Sequence, residues 1–135
     1  MAAHVEISTR DNEGIAVLDL TGRLVVSESL NTLRDAVSQL LREGQSKVAA
    51  NLAGIDYIDS TGLGTLVICY TTLQKAGGSL KLFSLNRRNL ELMLLTKLST
   101  VFELFNDEQS AINSFFPERE IQAFDILSFV KDQKK

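Results

Sequence analysis

Apolar residues along the chain keep two rhythms, and each change of rhythm marks the passage from strand to helix. Val5 and Ile7 alternate with His4, Glu6 and Ser8, and Asp11-Asn12-Glu13-Gly14 supplies turn chemistry before the apolar run from Ile15 to Leu20. This pattern predicts an opening β-hairpin. Leu30, Leu33, Val37, Leu40 and Leu41 recur at helical spacing, with Ser27 or Ser29 available to cap the front and Gly44 to end the back. Val48 to Leu52 reads as a short buried strand. A second helix is predicted from about Thr61 to Ala76, with Leu63, Leu66, Val67, Tyr70 and Leu73 on one face and Gly77-Gly78 as its stop. Leu80, Leu82 and Phe83 form a further strand, and Leu90, Met93 and Leu94 a third helix. Val101 to Phe105 gives a last short strand, and Ala111, Ile112 and Phe115 a fourth short helix. Strands alternating with helices predict an α/β layer fold.

Pro117, the only proline, marks the clearest boundary. Residues 1–116 form the predicted domain and 117–135 a helical C-terminal extension. Ile121, Phe124, Ile126, Leu127, Phe129 and Val130 make that extension too apolar for a disordered tag. On a helical projection they spread around most of the cylinder, so one buried stripe does not account for them. The extension is expected to pack against the domain or to pair two copies as a homodimer.

Composition narrows the function. A chain of 135 residues with 44% hydrophobic content makes one domain with a real core. Seventeen acidic against fourteen basic residues leave a net charge of −3, and the basic ones do not cluster, which argues against nucleic acid as a partner. Arg87-Arg88 and Lys134-Lys135 are expected to face water. The single cysteine, Cys69, excludes an internal disulfide or a cysteine metal cluster and, beside Val67 and Ile68, reads as a small buried hydrophobe. No apolar run approaches the roughly 20 residues a membrane helix needs, and the amino terminus lacks a signal-peptide core. A cytoplasmic protein without membrane insertion is expected.

The candidate chemistry lies in Asp59-Ser60-Thr61-Gly62-Leu63-Gly64, which comes after Leu52-Ala53-Gly54-Ile55-Asp56-Tyr57-Ile58 and opens the second helix. Unpaired N–H groups in a first helical turn favour negative charge, so a phosphate on Ser60 would lie where the helix stabilises it. The bland alternative is that Asp59 and Ser60 merely cap the helix. Against it stand Gly62 and Gly64, each costing about 1 kcal/mol relative to alanine inside a helix. Bare backbone there leaves Ser60 approachable by another protein, although close packing against a neighbouring strand would demand glycine too. Asp59 is expected to shape the loop and orient the Ser60 hydroxyl. It is not read as a receiver-type phosphoacceptor, because the first hairpin ends in Leu20-Thr21-Gly22-Arg23, without the acids that would hold a divalent cation. A hydrolase reading of Ser60 lacks a base, since the only histidine is His4, and lacks a Gly-x-Ser-x-Gly elbow. No enzymatic activity, metal or cofactor is predicted.

The same segment closely resembles the phosphoacceptor motif of STAS-domain anti-sigma-factor antagonists. The likeness runs from about Val5 to Phe115 and includes Thr21-Gly22-Arg23-Leu24, Gly77-Gly78 and Val101-Phe102-Glu103-Leu104-Phe105. It implies a mixed β-sheet of four to five strands flanked by about four helices. It also implies that Ser60 is phosphorylated, with Asp59, Thr61, Gly62, Leu63 and Gly64 forming the phosphosite loop and partner surface. The implied partners are an anti-sigma serine kinase of the GHKL type, bound and made to release its sigma factor while Ser60 is unmodified, and a phosphatase acting on phospho-Ser60. Two departures stand out: Gly22-Arg23-Leu24-Val25 replaces the Gly-Glu-Leu-Asp of many relatives, and Asn51 stands where an Asp often closes the strand. They leave room for a constitutive scaffold in a stress-sensing complex or a transporter-associated subunit.

Overall fold

A computed structural model describes residues 4–119. The hairpin joins β1 (Val5–Asn12) to β2 (Ile15–Leu24) through Glu13 and Gly14, both at positive φ, 56° and 87°. That pair of left-handed residues is the type I′ turn whose twist matches the strands it connects. Then come α1 (Ser29–Arg42), β3 (Lys47–Ile58), α2 (Ser60–Lys75), β4 (Ser79–Phe83), α3 (Arg87–Leu95), a 3₁₀ turn at Leu98–Thr100, β5 (Leu104–Phe105) and α4 (Glu108–Asn113). The five strands lie in the order β1-β2-β3-β4-β5, with β1 antiparallel to β2 and the remaining pairs parallel. The mixed sheet and four flanking helices agree with the sequence expectation.

Alternation along the strands divides the core between two faces. Ala16, Leu18 and Leu20 of β2, with Val48, Ala50 and Leu52 of β3, pack under Leu33 and Val37 of α1, Leu66 and Leu73 of α2, and Met93 of α3. Their neighbours Ile15, Val17 and Ala49, with Phe83 and Phe105, meet Ala111 and Ile112 of α4 on the other face. Lys81 also points to that side. Its ammonium donates to the Ser114 carbonyl at 3.1 Å and to Ser114 Oγ at 2.9 Å, and lies 4.4 Å from the centre of the Phe115 ring, tying the end of α4 to the sheet.

Several boundaries differ from expectation. The helices stop where glycine predicted: Gly44 and Gly77, at φ 79° and 84°, each close a Schellman motif, with Gln45 N–H donating to Leu40 O at 2.8 Å and Gly78 N–H to Leu73 O at 2.9 Å. Neither Ser27 nor Ser29 caps α1, however. The residue before it is Glu28, whose side chain makes no cap bond, while Ser29 Oγ accepts from Val5 N–H at 3.0 Å and pairs with Ser27 Oγ at 2.8 Å. β3 runs six residues past Leu52, because two register shifts in its pairing with β2, at Leu52-Ala53 and at Asp56, let the ladder continue with Gly54 paired to Thr21. β4 pairs only with Lys47 to Asn51, and Asn86 and Asn89 Nδ2 donate instead to the Ile55 carbonyl at 3.3 and 3.1 Å. Val101 belongs to the turn before β5, and Phe115 lies beyond α4. Arg87 and Arg88 are exposed as expected, whereas the predicted helical extension and its homodimer fall almost wholly outside the described residues.

An ion-pair cluster fastens α4 to β1 and β2. Arg10 donates to Asp19 Oδ2 at 2.7 Å and to Glu108 Oε1 at 2.6 Å, with Asn51 adding a bond to Asp19 at 2.9 Å and Asn12 one to Glu108 at 2.6 Å. Chiefly through Arg10, the Asp19 and Glu108 carboxyls are held below their ordinary values of 3.8 and 4.5. Stabilisation from a depressed carboxyl is complete above its ordinary value and is lost as the pH falls through the lower folded one. We therefore expect urea midpoints to fall steadily below about pH 4.5, and the fall to be shallower in Arg10→Gln. Parallel curves for the two proteins would show the cluster to be energetically idle.

Candidate functional site

The loop between β3 and α2 is organised by one carboxylate. Asp59 adopts an extended conformation, φ −93° and ψ −179°, and caps α2 through Oδ1, which accepts from Gly62 N–H at 2.7 Å. Oδ2 accepts from Val26 N–H at 2.9 Å, and Asp59 N–H donates to Leu24 O at 3.0 Å. One residue thus fastens the β2–α1 loop to the start of α2. Each of its two carboxylate oxygens accepts from a main-chain amide.

Ser60 is the first residue of α2 and is exposed, as are Thr61 and Gly64. With Gly62 N–H taken by the cap, the Ser60 and Thr61 amides are left at the helix end for an anion. Ile68, two turns further along the same side, is 45% exposed, and Val26, brought alongside by its bond to Asp59, is 69% exposed. Tyr57, just before the loop, lies under the Arg88 guanidinium, 5.6 Å from its ring centre. The result is a surface of small polar groups and bare helix backbone flanked by uncovered apolar side chains.

Two members of the predicted loop turn inward. Leu63 is buried in the main core, and Gly62 packs so closely on β2 that a Cβ there would collide with the Leu24 carbonyl. Close packing explains Gly62, whereas around Gly64 a Cβ would meet nothing within 4 Å. Val26 is the surface residue that sequence reasoning missed. Its place depends on a hydrogen bond spanning 33 residues, for which no local signal exists.

Cys69 is buried between α1 and α2, and desolvation pushes its thiol up to about 11, so it behaves as a hydrophobe. Among the described residues, no group of three His, Cys, Asp or Glu side chains could hold a metal ion, and no helix is long and apolar enough to cross a membrane.

The STAS domain profile matches residues 6–111, which takes in every element of the sheet and the whole loop. The chain belongs to the STAS-domain family. Its similarity to an anti-sigma-B factor antagonist of Bacillus subtilis is 30% identity over 101 residues, covering 75% of this chain and 91% of the relative. An anti-sigma factor antagonist from Mycobacterium paratuberculosis shares the fold at a TM-score of 0.66 and 20% identity, over 82% of this chain and 92% of that one. The Bacillus cell-fate determinant SpoIIAA in its phosphorylated form covers 82% of this chain at a TM-score of 0.63 and 17% identity, with 99% of that chain matched. Its unphosphorylated form gives 0.63 and 14%, over 84% of this chain and all of the other. In this STAS domain the exposed serine stands at the junction of β3 and α2, directly after the carboxylate that holds the junction together.

The loop makes the contribution of Asp59 measurable. Removing an N-cap carboxylate costs about 1 kcal/mol, and here the same change also frees the β2–α1 loop. Asp59→Ala is expected to lower unfolding free energy by about 1 to 2 kcal/mol and to raise amide exchange at Val26 and Gly62 together. Loss of protection at Gly62 alone would show that the tie to Val26 carries no load.

Proposed function

We propose that this STAS domain is an anti-sigma-factor antagonist switched by phosphorylation of Ser60. Unmodified, it binds an anti-sigma serine kinase of the GHKL type and frees the sigma factor that the kinase holds; phosphorylated, it lets go; a phosphatase resets it. Ser60, Asp59, Thr61 and Gly64 form the contact surface, with Val26 and Ile68 beside them and Gly62 and Leu63 as the supports beneath. The observation that carries this reading is the exposed Ser60 hydroxyl on a helix end whose cap is supplied entirely by its neighbour. A hydroxyl not needed for the cap is free for transfer chemistry.

The physics of the switch arises from the site. A phosphate brings about −1.5 to −2 charge and three acceptor oxygens, and the α2 amides offset part of that charge inside the molecule. The fold therefore tolerates the modification. At a contact surface the same group adds bulk and a charge that a docked partner must desolvate. The switch thus acts on affinity and leaves conformation alone. No base is required of this protein, since a kinase supplies its own.

The test is capture from native lysate on wild-type protein and on Ser60→Asp, with retained proteins identified by mass spectrometry. A GHKL-type kinase held by wild type alone supports the proposal. The same proteins on both baits, with no kinase among them, would return Ser60 to the role of a helix residue and favour a constitutive scaffold.

A further inference from the structure

Past Asn51, β3 leaves β4 and meets α3 instead, and between the end of the strand and that helix lies a groove of about 240 Å³. The two buried members of its lining, Ile58 and Asn89, form the floor. Tyr57, Leu92 and Leu95 give the walls apolar surface, Leu95 being 82% exposed, and Arg88 and Glu91 bring one charge of each sign to the rim. The groove begins beside the switch surface, since Ile58 lies two residues before Ser60 and their Cα atoms are at most about 7.6 Å apart.

Asn89 sets this groove apart. It is fully buried, its main-chain N–H donates to Asn86 Oδ1 at 2.8 Å, and its Nδ2 donates to the Ile55 carbonyl at 3.1 Å, which fixes which way the amide faces. Among the described residues, Asn89 Oδ1 is the one buried side-chain nitrogen or oxygen without a hydrogen-bond partner. A buried acceptor left unpaired costs free energy, and a donor brought to it recovers that cost.

These features describe an occupant. The walls favour a flat apolar body, and Asn89 Oδ1 favours a single donor at its edge. The Arg88 guanidinium, 5.6 Å from the centre of the Tyr57 ring, opposes a cation. The volume falls below the roughly 300 Å³ at which pockets for separate small molecules begin, and so matches one anchored side chain. We infer that the groove takes a tryptophan side chain of the kinase that docks at Ser60, with the indole ring against Tyr57, Leu92 and Leu95 and its N–H donated to Asn89 Oδ1. Neighbouring atoms cover Oδ1, so entry of the ring requires a rotamer change in the groove, as is common at interfaces. Buried aromatic anchors of this kind carry much of the affinity between proteins. The inference rests on the kinase reading of Ser60 and adds to it an apolar anchor that phosphorylation does not alter.

Two measurements test it. In NMR titrations of the full chain, indole itself is expected to shift the Tyr57, Asn89 and Leu92 amides. Benzofuran, with the same outline but oxygen in place of the N–H, is expected to bind at least about fivefold more weakly. Leu95→Asp is expected to weaken indole binding at least about tenfold, while unchanged Leu18, Ala50 and Leu82 amides show that the variant is folded. Indole shifts confined to other parts of the molecule, or equal affinity for the two rings, would overturn the inference. The second measurement is calorimetry with the kinase retained by the wild-type chain, which Leu95→Asp is expected to bind at least about tenfold more weakly. A kinase that rejects Ser60→Asp yet binds Leu95→Asp at full strength overturns this inference and leaves the Ser60 reading standing. A lysate from which no kinase is retained overturns the Ser60 reading, and with it the partner assigned here, whatever the indole titration shows.

Discussion

Ser60→Asp is expected to weaken binding to the cognate kinase by at least about 100-fold, roughly 2.8 kcal/mol, with no loss of stability in the isolated domain. The two halves of that expectation have separate causes. An acid in the first turn of α2 is favourable to the helix by about 0.3 to 1 kcal/mol, so the urea midpoint should hold steady or rise slightly. At the interface the same carboxylate must be desolvated without a partner, which costs several kcal/mol when one charge of a buried set is left alone. Ser60→Ala separates charge from cap. Because Asp59 provides the cap bond to Gly62, alanine at 60 should leave stability unchanged and preserve kinase binding, now insensitive to ATP. Titration calorimetry of the purified pair, with urea melts of each variant, reads both quantities. A Ser60→Asp protein that binds as tightly as wild type would sink the affinity switch, and one that unfolds would show the site to be structural.

How much of this was readable from the chain depends on how local each signal is. α1 and α2 were legible because their apolar spacing and their terminal glycines, Gly44 and Gly77, act within a few residues. The hairpin was legible for the same reason. β3 was read short because Gly54 and Asp56 look like breakers, whereas the strand continues on the strength of its pairing with β2 and of the Asn86 and Asn89 amides from α3. Ser27 and Ser29 are good caps by type, yet the Ser29 hydroxyl is drawn to the edge of β1, a competition invisible in a local window. The site divides likewise. Ser60 and the Asp59 cap are set by residue type and position, but the second bond of Asp59, to Val26, joins segments that only the folded sheet brings together.

The pair of glycines tests that division most sharply. Gly62 and Gly64 look alike in sequence, two residues apart in one helical turn, yet a Cβ at 62 would strike the Leu24 main chain and a Cβ at 64 would point into open space. Main-chain atoms of a central strand cannot yield as a flexible side chain can. Gly62→Ala is therefore expected to cost about 3 kcal/mol, the upper part of the range for overpacking, and to lift α2 off β2. Gly64→Ala should instead stabilise the protein by about 0.5 to 1 kcal/mol through helix propensity, because nothing in the domain opposes it. If the bare backbone at 64 serves the approach of a kinase to Ser60, the same substitution should slow phosphorylation while raising the urea midpoint, so that stability and function move in opposite directions. Equal destabilisation by both alanines would mean that Gly64 also packs against something in the folded protein. A stabilised Gly64→Ala protein phosphorylated at the normal rate would assign the accessible surface to the side chains of Ser60 and Thr61 alone.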